Sequence, residues 1–233
     1  MDFIEGEILY IDKPLYWTSF RLVRVVRAKI CQRLGIKKLK VGHAGTLDPL
    51  ATGVMILCTG KKTKQIEELQ ALTKEYIASI RLGATTPSFD LETDIDAEYP
   101  VNHITEEMVK ETLAQFVGSI EQVPPIYSAV KVDGKRAYRY ARDNENIELK
   151  PKLLVIDSIE LIAYDLPNIT IRVVCSKGTY IRALARDIGE ALKSGAHLTE
   201  LIRTRTGEVT MNDCLKIDEV DRLLDTHFPL PDK

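Results

Sequence analysis

Asp48 stands in Gly42-His43-Ala44-Gly45-Thr46-Leu47-Asp48-Pro49-Leu50-Ala51-Thr52-Gly53, a segment with three glycines, one histidine and a single carboxylate in front of a proline. The glycines permit backbone angles that other residues avoid, and Pro49 pushes Asp48 out of the helical region toward an extended conformation. A carboxylate fixed in this way can act as a base or a nucleophile. Loops anchored on rigid elements are where such residues concentrate. The same residues also read as an Asp-Pro turn with glycines for tight packing. Tyr76, Tyr180 and Arg182 are the other groups with chemical capacity; taken singly, Tyr76 reads as a core aromatic and Arg182 as a surface helix residue.

These residues need elements to position them. Val54-Met55-Ile56-Leu57-Cys58 reads as a buried strand behind the Asp48 loop, and Glu7 to Ile11 as a strand ending at Lys13-Pro14. Thr18 or Ser19 caps a helix running to about Leu34, with Leu22, Val25, Val26, Ile30 and Leu34 as its apolar stripe and Gly35 as its stop. A short helix at 64–72 leads to a strand at 74–82 that shows Tyr76, Ala78, Ile80 and Leu82 on one face. The acidic, polar 83–100 stretch reads as a loop, and Thr105 caps a helix to about Val117. Strands are expected at 127–132, 152–163 and 168–175, with a short helix around 136–142. Residues 179–193 read as a helix with Ile181, Leu184, Ile188 and Leu192 inward and Arg182 and Arg186 on another side. A short strand near Val209 and a helix at 218–224 follow. Strands that succeed one another without a crossover helix point to an α+β fold on a mainly antiparallel sheet flanked by helices. No repeat or linker divides the chain, so one domain is expected, with a core at about 6–180 and a C-terminal part at about 181–233.

With 233 residues, 45% hydrophobic and 28% charged, the composition is that of an ordinary globular protein. No apolar run approaches a membrane helix, and the N-terminus lacks the order of a secretion signal, so a cytoplasmic location is expected. Cys31, Cys58, Cys175 and Cys214 lie far apart among apolar neighbours and read as buried free thiols; with the histidines also lacking ligand spacing, no zinc site is expected. The net charge of -2 hides an asymmetry: no acidic residue lies between Asp12 and Asp48, while Lys13, Arg21, Arg24, Arg27, Lys29, Arg33, Lys37, Lys38 and Lys40 do. A basic face flanking a presented carboxylate suits a polyanion such as RNA, although a solvated helix face has the same composition.

Gly60-Lys61-Lys62-Thr63 lacks both the upstream glycine, where Met55 stands, and the Ser or Thr directly after lysine that a nucleotide-binding phosphate loop requires. No Gly-x-Ser-x-Gly elbow supports a serine hydrolase. A non-catalytic RNA-binding module explains the basic tract equally well, but not a lone carboxylate embedded in it within a glycine-rich, proline-fixed loop.

Lys13-Pro14, the Gly42 to Gly53 segment, Lys74-Glu75-Tyr76, Pro125-x-Tyr127-Ser128-Ala129-x-Lys131 and Ser176-Lys177-Gly178-Thr179-Tyr180-Ile181-Arg182 occur in an order and spacing that resemble the successive motifs of TruB-type tRNA pseudouridine synthases. The resemblance runs from about residue 6 to 215. It implies the pseudouridine synthase catalytic fold and isomerisation of uridine 55 in the TΨC loop of tRNA, with no metal or organic cofactor. The T-arm of tRNA is the implied partner, without an obligate protein partner, and a monomer is expected. Asp48 matches the family's catalytic aspartate, Tyr76 its stacking tyrosine, and Tyr180 and Arg182 its other active-site pair. Leu201 matches the apolar wall of the uracil pocket and His43 the residue that enters the RNA where bases have been displaced. Lys13 and Lys131 are expected on the substrate side of the site; Asp90 of the acidic loop is expected to meet RNA bases through hydrogen bonds, and reads equally as a solvated loop carboxylate. Two departures stand out: Tyr16 occupies a position where glycine is usual, which bears on the conformation of that turn, and the chain ends at Lys233 where relatives often continue into an RNA-binding PUA module, which is expected to be absent. Guide-RNA enzymes of the same type usually depend on that module and on partner proteins, which the short C-terminus argues against.

Overall fold

A computed structural model describes residues 1–128, 130–132, 134–143, 145 and 147–229, with the side chains of 131, 138, 141 and 142 outside the description. In chain order the elements are β1 (Ile8–Lys13), α1 (Ser19–Leu34), β2 (Val41–His43), β3 (Ala51–Thr59), α2 (Ile66–Ala71), β4 (Lys74–Leu82), β5 (Ala84–Thr85), β6 (Ala97–Glu98) and α3 (Glu106–Ala114). They continue as β7 (Gly118–Gln122), β8 (Lys131–Val132), β9 (Lys135–Arg136), α4 (Ala137–Arg142), β10 (Lys152–Asp165), β11 (Asn168–Cys175), α5 (Ile181–Ala191), β12 (Ala196–Thr206), β13 (Val209–Thr210) and α6 (Glu219–His227). This is the expected α+β architecture, with helices flanking a mostly antiparallel sheet. None of the described helices is long and apolar enough to cross a membrane.

The fold divides into two compact units, one of residues 1–74 and 202–233, the other of residues 75–201. In the first, β1 and β3 pair antiparallel from Ile8↔Cys58 to Lys13↔Gly53, β2 adds on β3, and the end of β12 carries β13. Leu22, Val23, Val26 and Ile30 of α1 are buried, so the stripe includes Val23, while Val25 and Leu34 are only half-buried. The helix begins where the Thr18 hydroxyl accepts the Arg21 N–H and ends at Gly35, whose φ of 64° suits the left-handed stop. Acidic residues of α6 neutralise part of the basic tract: Lys29 pairs with Asp221 at 2.5 Å, and Arg33 pairs with Asp225.

In the second unit the strands run β4, β11, β10, β7, with the start of β12 beside β4. β10 and β11 form the long hairpin anticipated at 152–175, and β4 alternates buried and half-buried along its whole length as its sequence requires. The 83–100 stretch is more ordered than an acidic loop: β5 and β6 pair across it, and Thr86, Ser88 and Asp90 are buried. β7 and β12 had no clear signal in the sequence, and β12 is the more consequential of the two. Cys58 and Cys175 are buried as expected, whereas Cys31 and Cys214 are only half-buried.

Candidate active site

In the first unit, Asp48 sits in a loop whose neighbours are fixed through their backbones. Ala44 extends the β2–β3 pairing by donating to Ile56 O at 2.9 Å. The Leu47 N–H donates to Ser19 Oγ, and that hydroxyl donates back to Leu47 O, both at 2.9 Å, so the start of α1 clamps the residue before Asp48. Pro49 O accepts from the Tyr16 N–H at 2.8 Å and from Lys13 Nζ at 3.4 Å. Beneath the loop lies Arg203 of β12, almost fully buried, donating to Val54 O at 2.7 Å, Gly45 O at 3.3 Å and Thr46 O at 3.4 Å. Residues 45, 46, 47 and 49 are thus held from α1, the Lys13 to Tyr16 turn and β12, which preorganises the carboxylate between them.

The glycines divide the work. Gly45 and Gly53 have φ of 101°, and a Cβ on Gly53 would meet Arg203 O at 2.3 Å. Gly42 has no left-handed angle; it makes room, since a Cβ there would lie 2.6 Å from Ile66 Cδ1.

Lys13 is fully buried, with Nζ donating to Trp17 O at 2.6 Å and Pro14 O at 2.8 Å as well as to Pro49 O. Burial pulls its pKa down to about 8, against the opposing pull of the Asp48 charge, so at neutral pH a cation faces the loop. His43 is half-buried on β2, and desolvation lowers its pKa, which leaves the imidazole neutral at physiological pH.

In the second unit, Tyr76 is buried on β4. Arg182, in the first turn of α5 and 4% exposed, is inside rather than on the helix surface. It donates to Tyr127 O at 2.9 Å and Ser88 O at 3.1 Å, and its Nε lies 3.5 Å from Asp90 Oδ2. Asp90, expected on the RNA-facing side of a loop, is buried in this ion pair, with its other oxygen accepting the Glu92 N–H at 2.9 Å. The turn that delivers it includes Phe89 at φ 63°, a strained angle for an aromatic residue, with the Arg186 guanidinium 4.8 Å from its ring. Tyr180, at the N-cap of α5, is held on both backbone sides by Gln122: its N–H donates to Oε1 at 2.9 Å and its carbonyl accepts from Nε2 at 3.2 Å. Leu201 is buried on β12. The Lys131 side chain and Ala129 lie outside the described residues.

Sequence reasoning missed Arg203, Ser19 as a loop clamp, and Gln122. Arg203 carries no local signal, because β12 itself has none; only with the strand formed does the arginine occupy an inward slot in line with Leu201, where it must find several acceptors.

Residues 32–181 match the model of the TruB family pseudouridylate synthase N-terminal domain. The chain belongs to the TruB family of pseudouridine synthases. Residues 182–227 match the tRNA pseudouridylate synthase B C-terminal domain, so the family match includes Arg182, Leu201 and Arg203 as well as the Asp48 loop. The chain is 68% identical over 225 residues to tRNA pseudouridine synthase B of Phocaeicola vulgatus, covering 97% of this chain and 96% of the relative. It is 51% identical to the protein of the same name from Flavobacterium johnsoniae, over 93% of this chain and 95% of the relative. Among solved structures, a chain of a Cbf5-Nop10-Gar1 complex superimposes with a TM-score of 0.70 at 28% identity; the match covers 97% of this chain and 56% of that one. This TruB-family chain is therefore an enzyme that isomerises uridine in tRNA.

Proposed function

We propose that the uridine isomerised is position 55 in the T loop of tRNA and that Asp48 is the reacting carboxylate. The observation that carries this reading is the loop itself: the one carboxylate in the tract from Lys13 to Gly53 has flanking residues pinned at 45, 46, 47 and 49, inside a chain that is similar over nearly its whole length to proteins named tRNA pseudouridine synthase B.

The reaction breaks the N1–C1′ bond, turns the uracil while it is retained, forms a C5–C1′ bond, and moves a proton from C5 off the ring while N1 gains one, so that the product is an isomer. Asp48 acts at the ribose, by bonding to C1′ or by removing a ribose proton on the way to a glycal; both routes need an ionised carboxylate of fixed direction. The target base must leave its stack, at a cost that contacts with the extruded base offset. Tyr76 supplies a face for that base, Leu201 an apolar wall, and neutral His43 a ring to occupy the vacated space without bringing a charge into the base stack. Tyr180 and Arg182 complete the active-site set: Gln122 fixes the backbone of Tyr180, and Asp90, Ser88 and Tyr127 fix the guanidinium, so Asp90 serves the site by orienting Arg182. Lys13 holds the loop and places positive charge toward Asp48. Lys131 is assigned to the substrate side of the site by its motif. The enzyme acts where tRNA is found, in the cytoplasm, as a monomer on its RNA alone.

Incubation with an unmodified tRNA transcript followed by site-mapped pseudouridine detection tests the reading. Asp48→Asn is expected to bind the transcript and leave uridine 55 unchanged. Product at uridine 55 from that variant, or wild-type product at another position only, overturns it.

A further inference from the structure

The turn after β1 holds a feature that the loop-pinning role does not use. Tyr16 has φ of 63°, a left-handed angle that glycine adopts freely and tyrosine rarely. The bond from its N–H to Pro49 O is a backbone bond that glycine would make equally well. Nor does packing compensate for the strain, because Tyr16 is 71% exposed. Phe20, in the first turn of α1, is also 71% exposed, and Leu15 is exposed beside them. Trp17 carries the Arg21 guanidinium 4.3 Å from the centroid of its ring. A strained, exposed tyrosine with a second exposed aromatic side chain close by in the sequence, tethered to a functional loop, points to a ligand that meets them.

The surrounding charge selects the ligand. Arg21, Arg24 and Arg27 are exposed along the same helix, no ion pair involves them among the described residues, and no acidic residue lies between Lys13 and Leu47. Flat π faces interleaved with unpaired guanidinium groups suit unstacked bases on a phosphate backbone. We propose that Tyr16 and Phe20 form a stacking platform for a base of the substrate RNA next to the reacting uridine. The tether from Tyr16 to Pro49, the residue after Asp48, sets that proximity. The inference rests on Asp48 being the reacting group.

Steady-state kinetics on an unmodified tRNA transcript, with Tyr16→Gly, Tyr16→Phe and Tyr16→Gly/Phe20→Ala, test the platform. Tyr16→Gly is expected to raise the melting temperature by relieving the left-handed strain while raising KM roughly five- to 150-fold, the range that base–aromatic stacking confers. kcat should hold, Tyr16→Phe should behave as wild type, and the double variant should bind more weakly still. Tyr16→Asn, whose side chain accepts the left-handed region, serves if the glycine variant does not fold. Unchanged KM in Tyr16→Gly (or Tyr16→Asn in its place) and in the double variant overturns the proposal, as does a wild-type dimer in sedimentation that Tyr16→Gly dissociates, which would make the patch a self-interface. Transcript binding by Asp48→Asn with and without Tyr16→Gly reads the platform apart from turnover. A binding loss there combined with modification of a different uridine overturns the position-55 reading and leaves the platform standing.

Discussion

A lysine with no exposed surface is an unusual choice for a turn, and at Lys13 the choice has a thermodynamic signature. Its ammonium donates to three carbonyls, and burial lowers its pKa from 10.5 to about 8. Between those two values the unfolded chain holds the proton that the folded chain has released, so the unfolded state binds more protons and the contribution of Lys13 to folding stability rises with pH across that window. Urea unfolding of wild type and Lys13→Met should therefore show a difference that moves in favour of wild type as pH rises from 8 toward 10.5; a flat difference would contradict the buried ammonium. Arg203 presents the complementary case. Its fork reaches Val54 O, Gly45 O and Thr46 O, which a single ammonium cannot span. Arg203→Lys is expected to cost about 1–3 kcal/mol in chemical denaturation. It should also slow single-turnover product formation more than it weakens tRNA binding, because the residue holds the Asp48 loop and does not touch substrate.

The elements show where the sequence speaks and where it is silent. The ends of α1 were legible to within a residue, because its start and stop are local, a threonine hydroxyl and a glycine that turns left-handed, whereas its stripe was read only in part, with Val23 buried where Val25 and Leu34 were expected. β4 was equally legible from strict alternation. β12 was not, because Glu200, Arg203 and Arg205 break the apolar pattern, and the reason for a buried arginine lies on segments about 150 residues away in sequence. The same holds for Asp90 and Gln122, whose partners Arg182 and Tyr180 are remote in sequence, whereas the Asp48 loop declared itself through its own glycines and proline. The glycines permit a matched test of local against tertiary constraint. At Gly35, φ is 64° and nothing lies within 4 Å of a built Cβ, so alanine meets only the left-handed penalty of about 1–2 kcal/mol. At Gly53 the same methyl group would meet Arg203 O at 2.3 Å. Gly35→Ala should melt cooperatively a few degrees lower, while Gly53→Ala should lose the cooperative transition or the soluble protein; equal behaviour in thermal melts would show that β3 and β12 can part at no cost.

For the molecule as a whole, a net charge of -2 gives no general attraction to RNA, so affinity must come from local charge. The acid-free tract supplies it unevenly. Lys29 and Arg33 are paired with Asp221 and Asp225 of α6, and their charges are already compensated within the protein. Arg21, Arg24 and Arg27 have no carboxylate partner among the described residues and remain exposed. Each phosphate contact that releases a counterion steepens the fall of log K with log salt by roughly 0.7–0.9. Arg24→Gln/Arg27→Gln is therefore expected to flatten the salt dependence of tRNA binding by an amount within about 1.4–1.8, with melting temperature little changed. Lys29→Gln/Arg33→Gln should do the reverse, lowering the melting temperature by loosening α6 from α1 while leaving the slope near that of wild type. If both pairs flatten the slope equally, the α6 carboxylates do not screen the helix, and the RNA-facing charge extends over the whole basic tract instead of its amino-terminal half.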